Sequence, residues 1–210
     1  MANILCLDFD ETIVLDNTAR QVFERFAAPE WREHEERYRA GKLSVEQFHA
    51  AALDLVEAEA EELTDFVLAS ARPREGVLEL LDWALWNDWL PIVVSNGFDI
   101  YVNPVLDSLG IDRVTRHAGR ARFDYRWRVT YFSPRGVEIQ DGFQLAYAAS
   151  FKNTGDVVCY VGAGESDVQA ALLAERVFAR GTLLERLEGV HPDVRPFDTF
   201  HDVVASLNKG

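Results

Sequence analysis

Short, nearly unbroken apolar runs alternate along the chain with segments whose apolar residues recur every three or four positions. The runs predict strands at residues 3–8, 90–94, 157–161 and 176–179. The periodic segments predict helices at residues 77–84, 101–109, 143–151, 166–174, 182–187 and 199–207. Continuous apolar strands are typical of a parallel sheet that is buried on both faces. The pattern therefore predicts a doubly wound α/β fold, with a mainly parallel, Rossmann-like sheet and helices on both faces.

Residues 15–72 differ from the rest because they contain helical spacing without strand-like alternation. Asp16 or Asn17 can cap the first helix, and Ser44 with Gln47 has the spacing of a capping box. We interpret this block as a small all-helical cap inserted into an α/β core made of residues 1–14 and 73–210.

A second exception is the β-like stretch from 114 to 139, in which polar and aromatic residues alternate around Tyr125 and Trp127. Two interpretations are open: this stretch faces the cleft of the protein, or it is a hairpin that covers an edge of the sheet.

Charge and composition narrow the classes of function. The net charge is −14, from 21 basic and 35 acidic residues, which argues against nucleic acid or an anionic membrane as a partner. No apolar run is long enough to span a membrane and no signal peptide is recognisable at the start. Cys6 and Cys159 lie in apolar runs, which predicts buried free thiols and a cytoplasmic location.

Two carboxylates, Asp8 and Asp10, follow the first apolar run. Side chains two positions apart on a strand point to the same side, so both acids can face one cleft beyond the end of the strand. One can then serve as a nucleophile and the other as a general acid/base. The alternative is a turn that carries two solvated acids, because Asp-x-Asp is common by chance.

Three further motifs follow in a fixed order. They are Val93-Val94-Ser95-Asn96-Gly97-Phe98, the isolated Lys152, and Val161-Gly162-Ala163-Gly164-Glu165-Ser166-Asp167. Together with Asp8, Asp10 and Thr12, they resemble the four motifs of the haloacid dehalogenase superfamily of phosphatases, in particular the branch similar to phosphoserine phosphatase. Lys152 is the best match to the lysine of the third motif, since no other lysine lies between Lys42 and Lys209.

The resemblance implies a Mg²⁺-dependent phosphomonoester hydrolase that acts through an aspartyl phosphate. Asp8 would be the nucleophile and Asp10 the acid/base. The implied phosphate-binding residues are Phe9, Thr12, Ser95, Asn96, Gly97 and Lys152. The implied Mg²⁺ ligands are Asp8, Asp10 and Asp167.

The fourth motif departs from the family pattern, because Ala163 stands where an acid usually ligates the metal. One explanation is that Asp167 or Glu165 takes over as the ligand, with activity retained or reduced. Another is that the protein is catalytically impaired and serves as a binding protein for phosphorylated ligands or as a regulatory protein. A third is that alanine replaces a natural acid at this position.

The expected substrate is a small phosphorylated metabolite. Phosphoserine itself is disfavoured, because the acid and the arginine that clamp the amino acid in phosphoserine phosphatases fall near Asn17 and Ala50 here. Residues 174–181 also resemble the methionine-salvage enolphosphate phosphatases, although residues 120–150 lack the cysteines associated with them. Asn17, Arg20 and Arg25 are the candidate specificity residues. A dehalogenase or a phosphonate-cleaving enzyme is a weaker alternative, because Asp10 supplies the acid/base that a phosphatase needs.

Overall fold

The structure is a computed structural model that describes residues 1–209. Eight strands form one sheet in the order β5-β4-β3-β2-β1-β6-β7-β8. The strands are β1 (Asn3–Leu7), β2 (Trp89–Phe98), β3 (Thr115–Asp124), β4 (Arg126–Phe132), β5 (Glu138–Ile139), β6 (Val157–Gly162), β7 (Arg176–Ala179) and β8 (Val194–Pro196). All neighbouring pairs are parallel except β3–β4 and β4–β5.

Strand β1 lies at the centre of the sheet because its apolar residues can be buried on both faces. Leu5 and Leu7 belong to one hydrophobic core, whereas Ile4 and Cys6 belong to the core on the opposite face. The predicted doubly wound, mainly parallel sheet is confirmed. Its parallel arrangement brings the carboxyl ends of β1, β2 and β6 to one edge, where the ligand site of such sheets forms.

Ten α-helices accompany these strands in the described part of the chain, together with one π-helical turn (Phe9–Ile13) and one 3₁₀ turn (Glu165–Asp167). The α-helices are α1 (Thr18–Phe26), α2 (Trp31–Arg39), α3 (Val45–Leu53), α4 (Ala60–Ser70), α5 (Val77–Trp86), α6 (Asp99–Ser108), α7 (Phe143–Asn153), α8 (Val168–Ala171), α9 (Gly181–Leu187) and α10 (Phe200–Leu207). Helix α3 begins at the expected capping box, in which Ser44 and Gln47 satisfy each other's backbone N–H groups. No helix within residues 1–209 has the length and apolar character needed to cross a membrane.

The segment between the turn at Phe9–Ile13 and α5 contains the four helices α1–α4, and none of the eight strands comes from it. The Phe23 ring is central to this block, with Trp31 and Phe48 beside it and Phe98 of β2 at 6.1 Å between ring centroids. The division of the chain into a core and a cap, with boundaries near residues 14 and 73, stays a prediction.

The aromatic stretch forms the antiparallel β3–β4 hairpin with β5 at the edge of the sheet. Tyr125, at the hairpin turn, is 97% exposed and has a φ of 61°. Trp127 is buried and donates its indole N–H to the carbonyl oxygen of Ala58 at 2.8 Å. The edge-hairpin interpretation is therefore correct. Both cysteines are buried free thiols, as predicted.

Acidification is expected to weaken the fold through His49. Its buried ring lies 2.9 Å from the carbonyl oxygen of Asn96, and burial lowers the pKa of His49 from 6.5 to about 4. The His49 ring binds a proton below about pH 6.5 in the unfolded chain but only below about pH 4 in the folded chain. The stabilisation that neutral, buried His49 contributes is therefore fully present above about pH 6.5 and is lost as the pH falls from 6.5 to 4. The shift corresponds to about 3 kcal/mol of unfolding free energy.

Urea unfolding of the wild type and of His49→Gln between pH 7 and pH 4.5 tests this expectation. Other titrating groups contribute equally to both proteins, so the difference in unfolding free energy should shrink as the pH falls. A difference that is constant with pH would contradict the assignment of the acid sensitivity to His49.

Candidate active site

A cavity of about 530 Å³ opens at the carboxyl edge of the sheet, between the sheet and helices α1–α3. Of the residues predicted from the sequence, those that line it are Asp8, Asp10, Asn17, Arg20, Ser95, Asn96, Gly97 and Glu165. The predicted residues outside this lining are Phe9, Thr12, Arg25, Lys152 and Asp167.

The loop after β1 places the two central carboxylates. Asp10 has an extended backbone and Glu11 a left-handed one, with a φ of 57°, so the chain turns sharply directly after Asp10. The guanidinium of Arg74 holds this turn by donating to the carbonyl oxygens of Glu11 at 2.6 Å and Thr12 at 2.7 Å. The sequence-based prediction missed Arg74, which lies beside the predicted boundary at Pro73.

Asp8 is buried at the floor of the cavity. Its Oδ2 accepts a hydrogen bond from the Thr12 hydroxyl at 3.1 Å, and its Oδ1 accepts one from the Gln144 amide at 3.1 Å. Burial, followed by the nearby charges of Asp167 and Asp10, raises the pKa of Asp8 well above its usual range. Asp8 therefore needs a positive charge nearby in order to react as a carboxylate.

Asp10 lies beside Asp8 in the same lining. Its Oδ1 accepts a hydrogen bond from the backbone N–H of Thr18, the first residue of α1, at 2.6 Å. Burial raises the pKa of Asp10 to about 7. A carboxyl group with this pKa can exchange protons near neutrality, as a general acid/base must.

The Ser95-Asn96-Gly97 segment supplies the opposite wall. Ser95 was expected at the end of its strand, but β2 continues to Phe98, with a shift in its register against β3 after Val94. The Ser95 hydroxyl oxygen accepts a hydrogen bond from the Gly97 N–H at 2.9 Å, so its own proton can be donated to a ligand. A Cβ on Gly97 would lie 2.7 Å from the Tyr101 hydroxyl, which explains the glycine.

Gln144, in the first turn of α7, occupies the centre of the acidic group. Its amide nitrogen is 3.1 Å from Asp8 Oδ1 and 2.8 Å from Asp167 Oδ1, and its amide oxygen accepts a hydrogen bond from Asn96 at 3.0 Å. The amide thus connects two carboxylates without adding charge. The sequence-based prediction missed this residue.

The structure does not bring Lys152 to this site, and the assignment of Lys152 to phosphate binding is corrected. Lys152 lies in the last turn of α7, where its ammonium group pairs with Glu175 and lies 3.4 Å from the carbonyl oxygen of Asp156. It lies eight positions after Gln144 on the same helix, which corresponds to about 12 Å along the axis.

Asp167 is completely buried, and all its acceptor positions are used. Oδ1 accepts from the Tyr160 hydroxyl at 2.7 Å and from Gln144 at 2.8 Å. Oδ2 accepts from the backbone N–H groups of Ala163 at 3.0 Å and Gly164 at 2.8 Å. An ionised carboxylate offers about four lone-pair positions, so none of them remains for a metal ion.

The residues present do not fit the divalent ion that the resemblance implies. Ala163 offers no side-chain ligand, and Glu165 instead accepts a hydrogen bond from Arg186 at 2.8 Å. Within residues 1–209, no cluster of three or more His, Cys, Asp or Glu side chains could hold a metal. The expected Mg²⁺ ligation by Asp8, Asp10 and Asp167, with Glu165 as the substitute, is not supported by this geometry.

The candidate specificity residues separate into two groups. The Asn17 side chain lines the cavity and caps α1 by accepting from the Arg20 N–H at 2.9 Å. Arg20 also lines the cavity, where it pairs with Glu24 and Glu35. Arg25 lies outside the lining, with its guanidinium 5.6 Å from the ring centroid of Phe26. Arg25 is therefore not positioned to contact a ligand there.

Comparison with known proteins defines the class. The sequence profile of the haloacid dehalogenase-like hydrolases matches residues 5–172, so the chain belongs to this family. A 2-hydroxy-3-keto-5-methylthiopentenyl-1-phosphate phosphatase from Bacillus thuringiensis subsp. konkukian (strain 97-27) is 29% identical, over 95% of this chain and 93% of its own. A protein of the same name from Bacillus anthracis is also 29% identical, with the same coverage.

Solved structures share the fold. A phospho-aspartyl intermediate analogue of phosphoserine phosphatase superposes with a TM-score of 0.72 at 21% identity, covering 98% of both chains. A phosphoserine phosphatase from T. onnurineus gives 0.70 at 14% identity, covering 99% of this chain and 94% of its own. These findings confirm the predicted resemblance and the predicted enzyme class, a hydrolase of phosphoric monoesters. Phosphatases of this family typically use Mg²⁺, whereas the donor set described above does not fit that ion.

Proposed function

We propose that this protein hydrolyses a small phosphorylated metabolite, with Asp8 as the nucleophile and Asp10 as the general acid/base. One observation supports this most directly. The two carboxyl groups line one cavity at the carboxyl edge of the sheet, and Ser95 offers a hydroxyl proton from the facing wall.

The reaction needs two steps. In the first, an Asp8 carboxylate oxygen forms a bond to phosphorus while the bond from phosphorus to the ester oxygen breaks, and Asp10 donates its proton to that oxygen. In the second, Asp10 accepts a proton from a water molecule, whose oxygen attacks the aspartyl phosphate. This releases inorganic phosphate and regenerates Asp8.

Hydrogen-bond donors around the cavity would hold the phosphoryl oxygens. The Ser95 hydroxyl is one, and the backbone N–H groups near Phe9, Asp10 and Asn96 are the others expected from the resemblance. Thr12 serves indirectly, since its hydroxyl fixes Asp8 at 3.1 Å.

The wall formed by α1–α3 favours a substrate with an apolar portion. Val45 and Phe48 line it, and its two arginines, Arg20 and Arg39, are both paired with Glu35. An amino-acid substrate would have to break these ion pairs to use the arginines. We propose a short phosphate ester with an uncharged, partly apolar tail, in keeping with the methylthio-bearing phosphate in the relatives' names.

A second candidate function is binding of a phosphorylated ligand without turnover. Ala163 and the fully used acceptors of Asp167 favour it, because they remove the metal site on which the family's catalysis typically depends.

Phosphate release from a panel of esters separates these candidates. The panel contains p-nitrophenyl phosphate, phosphoserine and alkyl phosphates with thioether tails, each measured with EDTA and with Mg²⁺. We expect release from the thioether esters to exceed release from phosphoserine and to require Asp8, with Asp8→Asn as the matched control. Release that persists in Asp8→Asn would contradict the proposal, and binding of the esters without any release would establish the second candidate.

A further inference from the structure

The lining of the cavity contains more acidic than basic side chains. It includes five acids, which are Asp8, Asp10, Glu11, Glu35 and Glu165, and three cations, which are Arg20, Arg39 and Arg180. A phosphate ester adds up to two further negative charges. Some positive charge in the lining must be available to balance them.

Two of the three arginines already have partners. Glu35 pairs with Arg20 and, at 3.0 Å, with Arg39. Across residues 1–209, the Arg180 side chain alone among these three makes neither a hydrogen bond nor an ion pair. Its guanidinium is the one cation of the lining whose donors are unused.

The backbone places Arg180 next to the position that lacks an acid. Arg180 directly follows β7, at the same edge of the sheet as Asp8. Its backbone N–H donates to the carbonyl oxygen of Gly162 at 3.3 Å, and the N–H of Leu183 donates to that of Ala163 at 3.0 Å. A Cβ on Gly181, whose φ is 50°, would lie 3.3 Å from the Ala163 oxygen, so the turn packs closely on Ala163.

A second guanidinium, that of Arg74, lies close enough to Arg180 for the two positive charges to interact, although Asp198 and Glu11 also lie near Arg74. Arg74 holds the loop after Asp8 by hydrogen bonds to backbone carbonyls. Burial first, and then the charge of Arg180, lower the pKa of Arg74 to about 10. Two like charges in proximity are unfavourable, and an anion in the cavity would relieve their repulsion.

Two neutral residues complete the arrangement. Ala163 removes a negative charge from the position of the family's metal-binding acid, and Gln144 fills with an uncharged amide the space between Asp8 and Asp167. The site has thereby lost its ligands for a divalent cation while keeping one unpaired arginine.

We propose that Arg180 balances the charge of the bound phosphoryl group in this site, so that phosphate binds without a divalent cation. This inference rests on the proposed phosphate site but not on its turnover. The planar guanidinium can donate two parallel hydrogen bonds to phosphoryl oxygens, which a metal ion and a lysine would otherwise contact.

Inorganic phosphate binding measured by calorimetry on EDTA-treated protein tests the inference. We expect the same affinity with EDTA as with added Mg²⁺. Arg180→Gln should weaken binding about 10- to 100-fold. The affinity of Arg180→Lys should lie between those of the wild type and Arg180→Gln, because lysine keeps the charge but lacks the planar guanidinium. Arg135→Gln is the matched control, since Arg135 is an exposed arginine of the turn before β5 and should leave the affinity unchanged.

Circular dichroism and thermal melting establish that each variant is folded. Binding that disappears with EDTA and returns with Mg²⁺ would overturn the inference, as would equal affinities for Arg180→Gln and Arg135→Gln. Turnover that requires Mg²⁺ would contradict the inference and leave the proposed function intact. Phosphate binding that needs Arg180 but no metal, without turnover of any ester, would support the inference and contradict the proposed function.

Discussion

Asp8→Asn is expected to lower kcat by about 10⁴-fold or more, since removing the nucleophile of a covalent mechanism has effects of this size or larger. The neutral amide of asparagine cannot replace the carboxylate as the nucleophile that attacks phosphorus, although it retains the shape of the side chain. Its carbonyl oxygen can still accept the hydrogen bond from Gln144, so the geometry of the site should persist.

The same substitution should leave the fold as stable as before or more stable. Burial and the charges of Asp167 and Asp10 raise the pKa of Asp8, which means that ionised Asp8 destabilises the folded state near neutrality. A neutral asparagine removes this cost. Loss of turnover with an unchanged or higher melting temperature would therefore assign Asp8 to catalysis. Loss of turnover together with unfolding would contradict that assignment.

Asp10→Asn is expected to lower kcat for alkyl phosphates by about 10²- to 10⁴-fold, the usual contribution of a general acid/base. Asparagine keeps an oxygen that can accept from the Thr18 N–H, so the bond that starts α1 should remain. The first step should be affected least with p-nitrophenyl phosphate, because its leaving group departs without a proton.

Pre-steady-state kinetics separate the two steps for this variant. We expect a burst of p-nitrophenol followed by slow turnover, since the water that attacks the aspartyl phosphate no longer has a base. Equal losses for alkyl and aryl esters, without a burst, would contradict the assignment of Asp10.

The backbone architecture could be predicted because its signals are local. Apolar runs gave β1, β6 and β7 to within a residue or two of their observed bounds. The carboxyl-edge rule then correctly placed Asp8, Asp10 and Ser95 around one cavity.

The roles within helix α7 could not be predicted in the same way. Matching by residue type selected Lys152, because a lysine was expected and only one lay in the interval. The side chain that reaches the carboxylates is Gln144, from the opposite end of the same helix. A glutamine is uncharged and common on helices, so the sequence alone offers no signal for it.

Contacts between segments that are distant in the sequence could not be predicted either. The buried Glu46 carboxylate accepts a hydrogen bond from the backbone N–H of Phe143 at 2.7 Å and so joins α3 to the start of α7. Arg180, by contrast, follows a predicted strand, and the carboxyl-edge rule applied to β7 would have identified it.

The most direct test of the account is to trap the phosphoryl group on the enzyme. The protein is mixed with its best ester, quenched in acid during turnover, digested and analysed by mass spectrometry. We predict that the peptide containing Asp8 gains the mass of one phosphoryl group and loses it on treatment with hydroxylamine. A phosphoryl group on another residue, or none during active turnover, would contradict the account.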